Sequence, residues 1–315
     1  FVDQAEKKLF EISQNKKRSG FVSTAELATE TIKIIETLTT RKMAITGIAS
    51  GFKKLDKMTA GFQNSDLIII AARPGMGKTS FSLNIVMHAG LVHGLKVGFF
   101  SLEMAKEQLM MRMLSAKSKL NFGKIRTGFL SDSEFQKTVA AAETLQRANI
   151  FIDDTPAITS LDLRSRTRRL KSDKGIDILI VDYLQLMRGS SRTDNREREI
   201  AEISLSLKAL AKELQIPIIA ISQLSRQTEA RTDKKPQLSD LRESGALEQD
   251  ADMVIFLHRA DAYKRIADER DGLAEVIIGK QRNGPTGTVS LAFLDNQGVP
   301  SFENLADEYT EEPRD

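Results

Sequence analysis

The 315-residue sequence contains no cysteine and no tryptophan, and it has only three histidines and three tyrosines. Without cysteine there is no disulfide framework, no thiolate metal site and no cysteine nucleophile. The low aromatic content, 6% of the chain, argues against a surface that stacks nucleobases. A metal hydrolase is poorly supported, because His88, His93 and His258 do not have the HExxH spacing.

Long hydrophobic runs are also missing. Stretches such as residues 68–72 have the length of a strand, and none approaches the roughly 18 residues of a membrane span. The net charge of +3, from 46 basic and 43 acidic residues, is too small to indicate an anionic partner. The chain starts at Phe1 without a signal-peptide pattern. We therefore expect an internal fragment of a longer cytoplasmic protein that has no membrane partner.

Strand and helix patterns alternate from about residue 47, which predicts an α/β fold with a mostly parallel sheet covered on both faces. Helices are expected between the earlier strands, and Ser131 with Glu134 forms a capping signature for the third. The last strands lack intervening helices, which predicts an antiparallel edge. The predicted strands are 67–72, 97–101, 150–153, 178–182, 216–222, 253–257, 274–278 and 289–293. The predicted helices are 80–93, 106–119, 133–148, 161–171 and 197–213.

The N-terminal segment, residues 1–40, has two amphipathic patterns, over residues 1–15 and 24–40. A helix of about fifteen residues is marginal alone, so the first either packs on its own domain or docks on a neighbouring subunit. We expect an α/β domain over residues 41–302 and a solvated, disordered acidic tail over residues 303–315. A basic run at 164–174 is either a solvated face or a subunit contact.

A phosphate-binding loop follows the first strand, with the sequence Ala-Arg-Pro-Gly-Met-Gly-Lys-Thr at 72–79. It matches GxxxxGK[ST] except that Ala72 replaces the first glycine. Such a loop wraps backbone N–H groups around a polyphosphate, while Lys78 adds charge and Thr79 a hydroxyl for Mg²⁺. We predict a nucleoside triphosphate site, the alternative being a glycine-rich turn that ends in Lys-Thr by chance. The expected nucleotide-binding residues are Arg73, Pro74, Gly75, Met76, Gly77, Lys78, Thr79 and Ser80.

Three further side chains follow buried strands at the same predicted edge of the sheet. Asp182 is the expected second ligand of Mg²⁺, held through water. Glu103 is the expected general base, the alternative being a residue favoured at a helix N-terminus by the helix dipole. Gln223 is expected to sense the γ-phosphate, or else simply to end its strand. With Lys78, these are the predicted catalytic residues on one subunit.

Two long polar connections, residues 188–196 and 226–236, leave the sheet beside these groups. Long structureless connections tend to be functional or disordered. Their basic side chains suit contact with a phosphate backbone better than base stacking. The alternative is an ordinary solvated loop. The expected DNA-binding residues here are Arg192, Arg196, Arg231 and Lys234.

Seven segments, in order along the chain from about residue 1 to 300, resemble the ATPase region of DnaB-type hexameric replicative helicases. They are Gly-Phe at 61–62, the loop at 72–79, FSLEM at 100–104, VDYLQLM at 181–187, SQLSR at 222–226, LRESGALEQDAD at 241–252 and KQRNGPTG at 280–287. The opening helix resembles the linker helix of that family, and no segment of the sequence resembles the family's N-terminal domain, which recruits primase.

The resemblance implies a RecA-like ATPase domain, ATP as nucleotide, and a homo-hexamer around single-stranded DNA that moves 5′ to 3′ and unwinds forked duplex. The resemblance also implies that the protein is cytoplasmic and associated with the nucleoid. Its implied partners are primase, a helicase loader and other replisome proteins. Lys280 and Arg282 would reach the γ-phosphate of a neighbouring subunit, although the sequence alone does not distinguish them from a surface basic pair. The DNA-contacting loop would comprise Arg242, Glu243, Ser244 and Gly245.

Two other functions share these features. A RecA-like recombinase or recombination mediator has the same loop, base and polar connections. A regulatory ATP switch without DNA contact is disfavoured, because the chain has one phosphate loop rather than two. The order of the segments around Asp182 and at 242–252, and the residues they contain, favour the helicase.

Overall fold

The computed structural model describes residues 21–41, 45–189, 195–231, 233–263, 271–294 and 300–306. The chain divides into two compact units, Phe1–Thr46 and Gly47–Asp315. In the first unit, helix α1 spans Thr24–Arg41, where the apolar periodicity predicts a helix. The helix predicted over residues 1–15 lies outside the described residues. The docking role of the 1–40 segment therefore stays a prediction.

The second unit is built on one sheet, which has nine strands within the described residues. Its strands are β1 Leu67–Ala72, β2 Val97–Ser101, β3 Ile150–Asp153, β4 Ile178–Asp182, β5 Ile218–Gln223, β6 Met253–His258, β7 Leu273–Gln281, β8 Gly287–Leu294 and β9 Ser301–Asn304. Their order across the sheet is β3-β2-β4-β5-β1-β6-β7-β8-β9. In this order across the sheet, neighbouring strands from β3 as far as β6 pair in parallel, and neighbouring strands from β6 to β9 pair antiparallel. The predicted parallel sheet with an antiparallel edge is confirmed.

Helices cover both faces of this sheet. They are α2 Lys53–Thr59, α3 Lys78–Met87, α4 Lys106–Ser118, α5 Phe122–Thr127, α6 Asp132–Gln146, α7 Ser160–Lys174, α8 Arg196–Leu214 and α9 Gly245–Asp250. The capping signature before α6 is confirmed, because Ser131 Oγ accepts from the Glu134 amide and Glu134 Oε2 accepts from the Ser131 amide. Among the described residues, no helix has both the length and the apolar character to cross a membrane.

The central strands are apolar throughout because both of their faces are buried. Along β1, Ile68 and Ile70 point into one core layer with Phe81 of α3, whereas Ile69 points into the other layer with Leu207 of α8. Burying each such side chain contributes about 1.5–3 kcal/mol. The two layers hold β1, and the loop that follows it, rigidly in the middle of the sheet.

Several elements differ from the sequence-based expectations. The helix predicted at 80–93 begins at Lys78 and ends in a π-helix, His88–Val92. Strand β9 was not predicted, and the expected domain boundary at residue 302 falls inside it. The acidic tail beyond residue 306 lies outside the described residues. Helices α2, α5 and α9 are only six or seven residues long, too short to show a hydrophobic period.

Candidate active site

The phosphate-binding loop connects the end of β1 to the start of α3, at the carboxyl edge of the parallel strands. Gly75 and Gly77 both have positive φ, +79° and +91°. A Cβ on Gly77 would lie 3.0 Å from the ring of Phe302, so this glycine is required both for conformation and for space. Pro74 and Gly75 are exposed at the loop, while Met76 and Ser80 are buried and anchor it. The loop is therefore a rigid cradle whose open side faces solvent.

Lys78 and Thr79 begin helix α3 directly below the cradle. The Lys78 ammonium donates to the backbone carbonyls of Ala72 and Arg73 at 3.3 and 3.5 Å. Burial lowers the pKa of Lys78, and the nearby carboxylates of Asp182 and Glu103 oppose that effect. The structure thus brings together the cation and both carboxylates that the sequence predicted for one site.

Asp182 ends β4 and is 2% exposed. Its Oδ2 accepts a 2.8 Å hydrogen bond from the Thr79 hydroxyl, while Oδ1 is buried without a hydrogen-bond partner among the described residues. Burial raises the pKa of Asp182 to about 6, and the Glu103 charge adds to the rise. A buried carboxylate that has one oxygen without a hydrogen-bond partner, next to a hydroxyl group, is a set of oxygen ligands that suits Mg²⁺. The residues present therefore fit the predicted metal.

Glu103 lies in the exposed turn after β2. The neighbouring Leu102 amide donates to the Asp182 carbonyl at 2.7 Å, which ties this turn to the end of β4. The Glu103 carboxylate is close enough to affect the pKa of both Lys78 and Asp182 electrostatically. A solvent-accessible carboxylate beside the cradle has the position that a base acting on water requires.

Gln223 ends β5 and pairs in register with Ala72, the last residue of β1. Its side chain is exposed. The amide of Gln185 holds this strand end: Nε2 donates to Ser222 Oγ at 2.9 Å and to the Gln223 carbonyl at 3.1 Å, and Oε1 accepts from the Gln223 amide. Sequence reasoning did not single out Gln185, because nothing local indicates that it crosses to β5.

Two arginines, one within the loop and one outside it, hold the loop in place. Arg73, expected to bind nucleotide, is 8% exposed, pairs with Glu229 at 2.7 Å and donates to the Leu224 carbonyl. Arg259, which follows β6, donates to the Gly75 carbonyl at 3.4 Å and lies 3.4 Å above the ring of Phe293. Arg259 was missed because its contact with the loop spans 184 residues.

Lys280 and Arg282 lie at the opposite end of the sheet from the loop. Lys280 is within β7, and Arg282 directly follows the strand. Strand β7 runs antiparallel to β6, so Gln281 pairs with Met253, at the amino end of β6 and β1. The length of β1 is about 16 Å at 3.3 Å per residue, which neither side chain can span.

The two cationic side chains contact the end of α9. Lys280 Nζ donates to the carbonyls of Glu248 and Gln249, and Arg282 Nη2 donates to the Gln249 carbonyl at 2.9 Å. Arg282 also pairs with Asp252 at 3.7 Å. Both are therefore oriented by the same short helix.

Three of the predicted DNA-binding residues contact other side chains of the chain. The connection at 226–236 is not structureless, since it contains a 3₁₀ helix, Arg226–Ala230. Arg231 pairs with Asp240, and Lys234 Nζ lies 4.3 Å from the ring centre of Tyr263. Arg196 begins α8 instead of ending a loop; it pairs with Glu199 and donates to the Gln185 carbonyl. Each of these three cations therefore has a partner within the chain, and that of Arg196 lies one turn further along the same helix. Arg192 lies outside the described residues.

Residues 242–245 do not form an open loop. They join a 3₁₀ helix, Leu238–Ser244, to α9, which begins at Gly245. Gly245 is exposed, with no atom within 4 Å of the place where a Cβ would lie. The backbone at this junction is therefore accessible to a ligand.

The basic run at 164–174 is explained by pairing on α7. Arg164 and Arg168 both contact Glu213 of α8, and Arg166 contacts Asp153 of β3. These contacts fasten α7 to its neighbours, which favours a structural role for the run.

A phosphate loop after the central strand β1, a buried aspartate at the end of β4, one strand beyond β5 in the same sheet, and a carboxylate across the crevice define a P-loop nucleoside triphosphatase with a RecA-like sheet. The model of the DnaB-like helicase C-terminal domain family matches residues 47–304. The chain belongs to this family. Its members named as replicative DNA helicases are ATP-dependent enzymes, and the chain is accordingly assigned to the replicative helicases.

Individual relatives agree with this assignment. The chain is 48% identical over 311 residues to the replicative DNA helicase DnaB of Geobacillus stearothermophilus, covering 98% of this chain and 68% of the relative. It is 49% identical over 294 residues to the replicative DNA helicase DnaC of Bacillus subtilis (strain 168), covering 93% of this chain and 64% of the relative. The chain thus spans about two thirds of the length of these curated relatives.

Two solved structures are similar to the fold described above. One, an isolated ATPase domain, superposes with a TM-score of 0.84 at 40% identity, covering 91% of this chain and all of that one. The other, a DnaB-like replicative helicase solved in a study of its interactions with primase, superposes with a TM-score of 0.81 at 38% identity, covering 97% of this chain and 72% of that one.

Proposed function

We propose that this chain is the ATP-hydrolysing motor of a ring-shaped replicative helicase that moves 5′ to 3′ on single-stranded DNA and separates forked duplex. The observation that carries the proposal is the contact between Thr79 and the buried Asp182, with Lys78 and Glu103 beside it. Hydrolysis at this site would supply the free energy for each step along DNA.

Within one subunit, the loop amides of residues 73–79 would hold the phosphates of ATP, with Lys78 neutralising the outer ones. Thr79 and Asp182 would hold Mg²⁺, which neutralises charge on the β- and γ-phosphates when bound. Glu103 would orient the attacking water and accept its proton. Gln223 lies at the end of the strand adjacent to β1, so its exposed amide is available to the γ-phosphate.

Lys280 and Arg282 would complete the site of a neighbouring subunit. The proposal is supported by their place at the amino end of the sheet, which is too far for contact with the phosphates of their own chain. A head-to-tail ring brings one end of each subunit against the other end of the next. A cation supplied in trans stabilises charge that develops as the γ-phosphate departs.

The proposed contact with DNA centres on Arg242, Glu243, Ser244 and Gly245. The accessible backbone at Gly245 supports amide contacts to phosphates, which carry no sequence information. Affinity for single-stranded DNA should then be tolerant of sequence and fall steeply with salt. Arg196, Arg231 and Lys234 could contribute only by exchanging their present partners for phosphates, and we assign Arg192 to the same group.

The proposed assembly is a homo-hexamer. The solved relative that was studied with primase supports primase as a partner of the complete protein, and a helicase loader and other replisome proteins follow by the same family argument.

The sharing of sites is tested by mixing two inactive variants. Lys78→Ala should abolish hydrolysis, because the cradle loses its cation, and Arg282→Ala should lower hydrolysis while leaving nucleotide affinity nearly unchanged. In an equal mixture, about a quarter of the interfaces combine an intact Lys78 with an intact Arg282, if head-to-tail interfaces form at random. The rate should therefore recover to about that fraction of the wild-type rate.

Arg169→Ala is the matched control, because Arg169 is an exposed arginine paired only at 3.5 Å with Asp173; it should hydrolyse ATP normally. Each variant is assayed at several protein concentrations, with and without forked DNA. No recovery in the mixture would mean that each subunit has a self-contained site. Equal loss of nucleotide binding in Arg282→Ala would make Arg282 a ligand of its own site. Hydrolysis that DNA does not stimulate would count against the motor.

A further inference from the structure

Two of the three histidines of the chain face each other outside the residues assigned above. His88 and His93 approach with 3.2 Å between their Nε2 atoms. Their ring centres are 4.9 Å apart and the ring planes make an angle of 78°. The two side chains therefore meet through the same ring nitrogen, Nε2.

The π-helix is what brings them together. In an α-helix with 3.6 residues per turn, residues five apart lie on different faces. The wider turn of the π-helix, His88–Val92, closes after five residues, so His93 returns to the face of His88. Single π turns inside α-helices are frequent at functional sites.

The His88 ring has little freedom to turn. It packs over Gly51, where a Cβ would lie 2.7 Å from the His88 Cγ. Gly51 has a φ of +93°, so it meets the ring with bare backbone. His93 is exposed, which leaves the meeting point of the two rings accessible from solvent. The pair is thus held in place on one side and open on the other.

The separations suit a shared cation. Nitrogens facing end to end would place the ring centres about 5.4 Å apart, since each nitrogen lies about 1.1 Å from its ring centre. The observed 4.9 Å means that the nitrogens meet at an angle. A tetrahedral cation bonded to both at 2.0–2.1 Å would hold them about 3.3 Å apart. We propose that His88 and His93 form a two-histidine site for a borderline divalent transition-metal cation of the Zn²⁺ class.

The surroundings determine what kind of site it is. A cavity of about 440 Å³ is lined by His88 together with polar residues that include Asn84, Ser115 and Glu303. Among the described residues, no group of three or more histidines and carboxylates is placed to hold a metal. Water would therefore complete the coordination. Two protein ligands give an open, exchangeable site rather than a structural one.

The test is a Zn²⁺ titration by calorimetry on the tag-free full chain, stripped with a chelator. Excess Mg²⁺ is present to saturate oxygen sites, including Thr79 and Asp182, because Mg²⁺ prefers oxygen and Zn²⁺ accepts imidazole. One Zn²⁺ should bind per chain. His88→Gln and His93→Gln should each weaken binding at least about tenfold, because the loss of an outer partner of a ligand already costs about 10–100-fold.

Val92→Ala is the matched control, since Val92 is an exposed residue of the same π-helix without a ligand atom; its affinity for Zn²⁺ should be that of the wild type. With Cu²⁺ as the probe, electron paramagnetic resonance should show coupling to two imidazole nitrogens in the wild type and to one in His93→Gln. Circular dichroism checks that the exposed His93 variant is folded. If Zn²⁺ does not bind, or binds both histidine variants as tightly as the wild type, the pair is a hydrogen bond and the proposal is wrong.

Discussion

The free energy of unfolding should contain a pH-dependent contribution from one buried carboxyl group, that of Asp182. Burial raises its pKa from 3.8 to about 6. Between these values the folded chain keeps a proton that the unfolded chain releases, so stability falls as the pH rises through this window and is lowest, for this group, above pH 6. Asparagine at position 182 does not titrate and should remove this contribution.

The magnitude follows from the shift of the pKa. Each unit is worth 1.36 kcal/mol, so a carboxyl raised from 3.8 to about 6 destabilises the fold by about 3 kcal/mol at pH 7 and by about 1.5 kcal/mol at pH 5. The asparagine variant has a cost of its own, because its buried NH₂ replaces the unpartnered Oδ1. That cost is the same at every pH, so it cancels when the two pH values are compared.

The assay is urea unfolding of wild type and Asp182→Asn at pH 5 and pH 7 without nucleotide. The stability of the variant relative to the wild type should rise by about 1.5 kcal/mol between the two pH values. Asp173→Asn is the control, since Asp173 is a surface carboxylate in a 3.5 Å pair and its removal should change the stability by less than about 1 kcal/mol. A relative stability that stays constant, or falls, would refute the assignment of a destabilised carboxylate at the site. The Asp182→Asn variant should also lose ATP hydrolysis.

Three further outcomes are expected. Glu103→Gln should lower the rate of ATP hydrolysis by about 10²–10⁴-fold while leaving nucleotide affinity nearly unchanged, as measured by steady-state kinetics and nucleotide titration; a rate within tenfold of wild type would require another base. Gly77→Ala should lose nucleotide binding, because a positive φ costs alanine about 1–2 kcal/mol and its Cβ meets Phe302 at 3.0 Å; retained affinity in a filter-binding assay would mean that the cradle adapts. Arg168→Ala should change stability by less than about 1 kcal/mol and leave affinity for single-stranded DNA unchanged, because Arg168 is half exposed and pairs with Glu213; a clear loss of DNA affinity would give the basic run a binding role.

Local sequence patterns predicted much of the fold and the centre of the candidate site. Continuous apolar runs predicted the buried strands, since burial on both faces leaves no place for polar residues. The phosphate loop, Asp182 and Glu103 each follow such a strand, and parallel strands bring their carboxyl ends to one edge. These predictions depended on neighbours along the chain, where spacing alone determines position.

Other parts of the site could not be predicted, because their partners are distant in sequence. Strand β9 is four residues long, yet its Phe302 packs against Gly77, far away along the chain, and shapes the loop. Likewise, Arg259 and Arg73 hold the loop through Gly75 and Glu229. A single sequence contains no signal for these pairings.

The sequence by itself determined the class of the protein, the chemistry of its phosphate loop and the strands that carry it, because these follow from hydrophobic burial and short-range spacing. Only the tertiary structure decided which cations are free to act. It placed Lys280 and Arg282 at the end of the sheet away from the loop, and it paired Arg196 and Arg231 within the chain. It also turned His88 and His93 toward each other through a π turn. The physical reason is the same in each case: a side chain's role depends on the contacts around it, and the folded backbone determines which groups those are.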